Sequence, residues 1–91
     1  MQKIRKIFKA LSMKDAIDVY MLIYAGCQTE YYASFNDLIK LSTIKEHSLR
    51  RITNTLSRVK LIKSVKGIGK SKYYIVTNKE VAEDIYDMVQ K

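Results

Sequence analysis

The apolar residues of this chain recur at helical spacing over most of its length and at alternating spacing in one short region. Spacings of three and four positions, which place side chains on one face of a helix, recur in five segments. These segments are residues 2–11, 16–25, 34–41, 43–60 and 78–90. Before the last of them, IKSVK and KSKYYIVT alternate around Gly67, Ile68 and Gly69, a pattern that predicts a β-hairpin. The chain is therefore predicted to be mainly α with a small β-hairpin, in the order α-α-α-α-β-β-α.

Four tetrapeptides have the spacing of a capping box, in which a hydroxyl and a carboxylate bind free amides at the start of a helix. They are Ser12–Asp15, Ser34–Asp37, Thr43–Glu46 and Thr77–Glu80. Each predicts that a helix begins there, and Gly26 predicts the end of the central helix. Residues 28–33 are predicted to be a connection that includes at most one short strand.

The stretch from residue 43 to residue 62 has two different faces when it is drawn as a helix. One face is apolar and predicts contact with a core; it carries Leu49, Ile52, Leu56 and Val59. The opposite face is cationic and rich in donors; it carries His47, Arg50, Arg51, Asn54 and Arg58. Guanidinium and amide groups are suited to base edges and phosphates. Because only a tight turn precedes this helix, residues 34–60 predict a helix-turn-helix whose second helix recognises DNA.

The positive charge of the chain is concentrated in one segment. Residues 40–72 hold seven Lys and three Arg against Glu46 alone, a balance of +9, whereas the whole chain carries +8. The remainder therefore sums to −1, and a field of one sign confined to one segment indicates a polyanionic partner. Part of this charge lies on the predicted hairpin, residues 61–77. The predicted DNA contacts are His47, Ser48, Arg50, Arg51, Asn54, Arg58, Lys63, Lys66, Lys70 and Lys72.

The first and last helical segments each carry an apolar stripe. The stripes consist of Ile4, Ile7, Phe8 and Leu11 and of Val81, Ile85, Met88 and Val89. Together they are more apolar surface than one small domain readily covers, so a homodimer is predicted. The first segment is also basic and could lie on an acidic membrane, but it is short, and packing on the domain or on a second subunit is preferred. Cys27, just after the central helix, is either a buried small residue or the partner of its copy in an intersubunit disulfide.

Composition limits the remaining function classes. Ninety-one residues make one domain, residues 1–91, and the 47% hydrophobic content supplies a core. With Cys27 and His47 as the only residues of their types, no zinc or iron site of the usual ligand number can form within the chain, and no cofactor is expected. The longest apolar run, Val19 to Ala25, is too short to span a bilayer, so an intracellular protein is predicted. Gly69-Lys70-Ser71 matches the end of a phosphate-binding loop, but Ser64 stands where that motif needs glycine, and no enzyme is predicted.

The predicted order of elements resembles the winged helix-turn-helix domain. The segment SLRRITNTLSRVKLI, followed by a basic hairpin and KYYIVT before a capped helix, is similar to the multiple-antibiotic-resistance and arsenic-repressor groups of bacterial and archaeal regulators, whose small single-domain members also occur in archaeal viruses. The resemblance covers residues 14–90 and implies a cytoplasmic regulator of transcription, in the host cell if viral. It implies that His47, Arg50, Arg51 and Asn54 contact DNA, with Lys66, Lys70 and Lys72 on the wing. It also implies a dimer through residues 2–11 and 78–90. Lys60 departs from these families, which often have glycine before the wing.

Two other readings of the same pattern stay open. A winged helix can instead bind protein as a module of a larger assembly, although such modules seldom need a segment of charge +9. Binding to RNA or single-stranded nucleic acid is a weaker alternative, because Tyr73 and Tyr74 are neighbours on a predicted strand and point to opposite faces. No residue pattern identifies a small-molecule effector.

Overall fold

The computed structural model describes residues 2–67 and 72–90, with the backbone alone for residues 2–4. This part of the chain forms five helices and one antiparallel hairpin, a winged-helix-like arrangement that confirms the predicted fold class. The elements are α1 Gln2–Leu11, α2 Ala16–Thr29, α3 Phe35–Leu41, α4 Glu46–Arg58, β1 Ile62–Lys66, β2 Lys72–Val76 and α5 Lys79–Gln90. The predictions for the Ile4 side chain, for the turn residues Ile68 and Gly69 and for Lys70 lie outside the described residues.

Helix α2 lies at the centre of the fold because it is apolar on several sides. It packs against α1, α4, β2 and α5, and it contributes Val19, Tyr20 and Ile23 to the core. Leu38 of α3, Leu56 of α4 and Ile62 of β1 also belong to the core. None of the helices in the described part of the chain is long and apolar enough to cross a membrane.

The register of the hairpin determines which side chains share a face. Ile62 pairs with Val76 at its base, where both are buried, and Lys66 pairs with Lys72 at the end next to the connection between the strands. Since side chains alternate along a strand, the two faces follow from this register. Ser64, Lys66, Lys72 and Tyr74 lie on the face that carries Ile62 and Val76, whereas Lys63, Val65, Tyr73 and Ile75 lie on the other.

The free edge of β2 contacts the connection that precedes α3. The backbone amide of Tyr74 donates to the carbonyl of Ala33 at 2.9 Å, and Ser34 forms an isolated bridge with Tyr73. The short strand considered for residues 28–33 is therefore absent, and pairing is limited to this bridge just beyond them. These contacts attach the hairpin to the start of α3.

Only one of the four predicted capping boxes forms, the one between Ser34 and Asp37. The Ser34 side chain accepts from the amide of Asp37 at 3.2 Å, and the Asp37 carboxylate accepts from the amide of Ser34 at 3.0 Å. The box at Ser12 is wrong: its hydroxyl donates to the carbonyl of Lys9 at 2.7 Å, and α2 begins after Asp15, which adopts φ 68. The chain turns there between α1 and α2, so packing of the two helices determines the local backbone rather than a cap.

The other two boxes are also wrong, although each lies at a helix start. Helix α4 begins at Glu46, and Lys45 before it provides no side-chain cap. Asn78 caps α5, because its side-chain oxygen accepts from the amides two and three residues later at 2.9 and 3.2 Å. The hydroxyl of Thr77 donates instead to the carbonyls of Lys60 and Leu61, which joins the ends of the hairpin.

The prediction that the central helix ends at Gly26 is wrong. Helix α2 continues to Thr29, and Glu30 adopts the left-handed conformation at φ 63. Gly26 is buried, and a Cβ atom there would lie 2.9 Å from the carbonyl oxygen of Tyr31. This glycine therefore permits the returning chain to approach the helix closely.

Helix α4 ends in a Schellman motif centred on Lys60. The amide of Leu61 donates to the carbonyl of Leu56 at 3.0 Å, and the amide of Lys60 donates to that of Ser57 at 3.0 Å. Lys60 has φ 65, in the left-handed region that favours glycine. The position at which the sequence departs from the resembling families is thus one where glycine is favoured, and lysine adopts the same geometry.

Candidate nucleic-acid interface

Helix α4 buries its apolar face and exposes its cationic face, as its periodicity predicted. Leu49, Ile52 and Leu56 are buried, and Val59 packs against the core. The exposed side chains include His47, Ser48, Arg50, Arg51, Asn54 and Arg58. Thr53 is also buried, and its hydroxyl donates to the carbonyl of Arg50 at 3.1 Å. Every exposed side chain of α4 is therefore polar.

Arg50 is held by two contacts that sequence analysis missed. Its guanidinium carbon lies 4.7 Å from the centre of the Phe35 ring on α3, and its Nη2 atom lies 3.7 Å from Oε1 of Glu46. The ion pair is largely exposed on both sides, so it contributes little by itself. The Glu–Arg spacing of four residues was visible in the sequence. The contact with Phe35 depends on how α3 crosses α4, and the sequence carries no signal for it.

A cleft of about 380 Å³ separates α4 from the hairpin. We call this cleft the wing cleft; its lining residues are Ser34, Phe35, Asn36, Arg50, Thr53, Asn54, Lys72 and Tyr74. Two of these side chains, Arg50 and Lys72, are cationic, and none of the described residues that line the cleft is a carboxylate. Asn36 and Tyr74 were not among the predicted contacts, and only the folded arrangement brings them to the cleft.

A second cleft, of about 460 Å³, follows the other side of α4. Its lining residues are Met13, His47, Arg50, Arg51, Asn54, Thr55 and Arg58. Arg50 and Asn54 line both clefts and so form the ridge between them. All the predicted contacts of α4 except Ser48 therefore line these two adjoining clefts.

The lysines of the hairpin are divided between its two faces. Lys66 and Lys72 are on the face that lines the wing cleft, whereas Lys63 is on the opposite face across from Ile75. On that opposite face, the ring of Tyr73 stacks on Tyr32 at a centroid distance of 4.9 Å. Lys63 is thus not brought together with α4, although its sequence position grouped it with the other lysines.

The predicted dimer residues also separate into two groups. Ile7, Leu11, Val81 and Ile85 are half-buried against the core of their own chain. The exposed members are Phe8 on α1, at 64%, and Met88 and Val89 on α5, at 71% and 45%. Tyr86, at 44%, extends the exposed apolar surface of α5. Cys27 is half-buried and packs against the core.

The titratable groups with shifted pKa values lie on α2 and α3 and not on α4 itself. Burial raises the pKa of Tyr20 to about 12, and its hydroxyl has no hydrogen-bond partner among the described residues. Burial and the nearby carboxylates of Glu83 and Asp87 raise the pKa of Tyr24, whose hydroxyl accepts from Gln28 at 2.8 Å. The hydrogen bonds from Ser34 lower the pKa of Asp37. Among the described residues, no group of three or more His, Cys, Asp or Glu side chains could hold a metal ion.

No protein-family model matches this sequence, and no curated protein matches it. Its fold is similar to a solved structure, that of AF1382 from Archaeoglobus fulgidus, with a TM-score of 0.74. The similarity covers 90% of this chain and 91% of that chain at 17% sequence identity. At this identity the likeness shows the fold alone.

Proposed function

We propose that this protein binds double-stranded DNA in a sequence-specific manner and regulates transcription, as in the winged helix-turn-helix groups that its sequence resembles. The observation that supports this most is the outer surface of α4, where His47, Arg50, Arg51, Asn54 and Arg58 are all exposed. An α-helix fits the major groove of B-form DNA, where arginine pairs with guanine and asparagine with adenine through two hydrogen bonds each. In this arrangement, Arg51 and Asn54 are the candidates for base contacts.

The hairpin supplies the second part of the proposed contact. Lys72 lines the wing cleft beside Arg50 and Asn54 of α4, and Lys66 lies opposite Lys72 on the same face of the hairpin. Lysine acts as a point charge that is well suited to phosphate. With α4 in the major groove, the wing lies on the DNA backbone and adds affinity that does not depend on sequence.

We propose further that the protein acts as a homodimer in which α1 of one protomer meets α5 of the other. Phe8 is exposed on α1, and Tyr86, Met88 and Val89 are exposed on α5. The two helices carry opposite charge: the exposed side chains of Arg5, Lys6 and Lys9 lie on α1, and those of Glu80, Glu83, Asp84 and Asp87 lie on α5. A two-fold axis makes this complementary contact twice. Two α4 helices then meet half-sites about 10 base pairs apart, or a multiple of that distance.

Fluorescence anisotropy with labelled duplex DNA, single-stranded DNA and RNA at two salt concentrations tests the proposal. The expected result is preferential binding to a duplex, weakened by salt because bound phosphates release counterions. Tighter binding to single strands or RNA contradicts duplex recognition. Absence of binding to all three favours a winged helix that binds protein.

A further inference from the structure

We infer that the wing cleft holds a single backbone phosphate of the bound duplex, between Arg50 of α4 and Lys72 of β2. This inference rests on the proposed DNA binding and assigns one site within it. The proposed site includes Lys72 and excludes Lys63, two hairpin lysines that sequence position alone does not separate.

The pairing of two lysines in the hairpin is the first observation in its favour. Lys66 and Lys72 are directly opposite across the strands, on the face that lines the wing cleft. Like charges in directly opposite positions destabilise a strand pair. A bound anion would neutralise this repulsion, and none of the described residues lining the cleft is a carboxylate.

The orientation of Arg50 is the second observation. Its guanidinium carbon lies 4.7 Å from the centre of the Phe35 ring, which restrains a long side chain before any ligand binds. A guanidinium on a ring keeps N–H groups along its edge free for the oxygens of a phosphate. The exposed Glu46 carboxylate, at 3.7 Å, is a weak competitor for these groups.

The chemistry of the remaining lining favours a phosphate over a base. Asn36 can donate amide protons, and Ser34 and Tyr74 can donate hydroxyl protons. Two cations and several neutral donors match the oxygens of a phosphodiester. The rings of Tyr32 and Tyr73 stack on each other at the opposite face of the hairpin, so this aromatic pair is not in the wing cleft to stack on a base.

The test compares Lys72→Ala with Lys63→Ala, since both lysines are exposed, lie on the same hairpin and differ in face. The probe is a duplex selected from a random pool by the unaltered protein. For Lys72→Ala, binding should weaken about tenfold, as expected when one charge-assisted hydrogen bond is lost. The slope of log K against log salt should also fall by about 0.9, the value for one phosphate. Lys63→Ala should leave both quantities close to those of the unaltered protein.

Neutral methylphosphonate linkages, introduced one at a time into the same duplex, locate the phosphate. At one position, the neutral linkage should weaken binding by the unaltered protein but cause no further loss for Lys72→Ala, because the two changes remove the same contact. Equal effects of Lys63→Ala and Lys72→Ala, or additive effects at every linkage, would overturn the phosphate site while leaving DNA binding intact. Failure of the unaltered protein to bind any duplex would instead overturn the proposed function, and this inference with it. Unfolding midpoints of both variants close to that of the unaltered protein show that the fold is retained.

Discussion

Helices α4 and α5 have almost the same length, 13 and 12 residues, but they expose different surfaces. Helix α4 buries Leu49, Ile52 and Leu56, and its exposed side chains are all polar, with a strong excess of positive charge. Helix α5 buries Ala82 and leaves Met88 and Val89 exposed beside several acidic residues.

This difference indicates which kind of partner each helix suits. The apolar side of α4 is used within its own chain, so only a charged surface remains for a partner, and a polyanion fits it. The apolar side of α5 is only partly used, so a second apolar surface can still cover it. The proposed DNA contact and the proposed dimer contact thus involve different helices, and each can be tested separately.

The largest difference is expected in the stability of the fold. Leu49→Ala removes a side chain with 0% exposure and should lower the free energy of unfolding by about 2–5 kcal/mol. Met88→Ala, at a residue 71% exposed, should change it by less than about 0.5 kcal/mol. Urea denaturation at a protein concentration below the dissociation constant of the proposed dimer measures both without a contribution from dimerisation. A comparable loss from the two variants would show that α5 is as deeply packed as α4.

The next largest effect should come from the exposed face of α4. Arg51→Ala and Asn54→Ala are the two substitutions to compare. The one that removes a base contact should weaken binding to the preferred duplex by roughly 1–3 kcal/mol and remove the preference at one position. Lys79→Ala, which removes an exposed positive charge at the start of α5, is the matched control and should have little effect. Binding that tolerates both α4 substitutions but fails with Lys79→Ala would reverse the assignment of the two helices.

Dimerisation should depend on the exposed apolar residues of α5 and not on the cationic face of α4. Met88→Ala should weaken the homodimer by roughly 1 kcal/mol, about fivefold in its dissociation constant, because an exposed apolar anchor is shortened. Arg51→Ala should leave the dimer unchanged. Sedimentation equilibrium over a range of concentrations measures this constant. A protein that stays monomeric at micromolar concentration, with and without DNA, contradicts the homodimer.

The smallest effect should come from the residue that ends α4. A left-handed conformation costs an L-residue about 1–2 kcal/mol, and glycine avoids this cost. Part of that advantage is offset because glycine loses more conformational entropy on folding. Lys60→Gly should therefore be more stable than Lys60→Ala by roughly 0.5–1 kcal/mol, since both variants remove the charge but only glycine relieves the backbone. Equal unfolding midpoints for the two variants would mean that Lys60 is not strained.

The elements that sequence analysis predicted well are those that depend on periodicity alone. The two faces of α4 follow from its repeat of three and four residues, and the hairpin follows from alternation around glycine. These patterns are local, so no knowledge of packing is needed to recognise them. The side chains that cap the helices were predicted poorly because several arrangements satisfy the same free amides. At Asp15 the turn between two packed helices determines the backbone, and at α5 the side chain of Asn78 replaces the predicted Thr77.

The sequence by itself thus determined the order of the elements, the cationic face of α4 and the segment that carries the positive charge. Tertiary structure alone decided which of these charges come together. The strand register places Lys72 beside α4 and Lys63 on the other face, although both are exposed lysines of the same hairpin. The crossing of α3 and α4 brings Phe35 to Arg50, and the return of the chain past α2 requires Gly26. These contacts join residues that are distant along the chain, and periodicity carries information only about neighbours within one helix or strand.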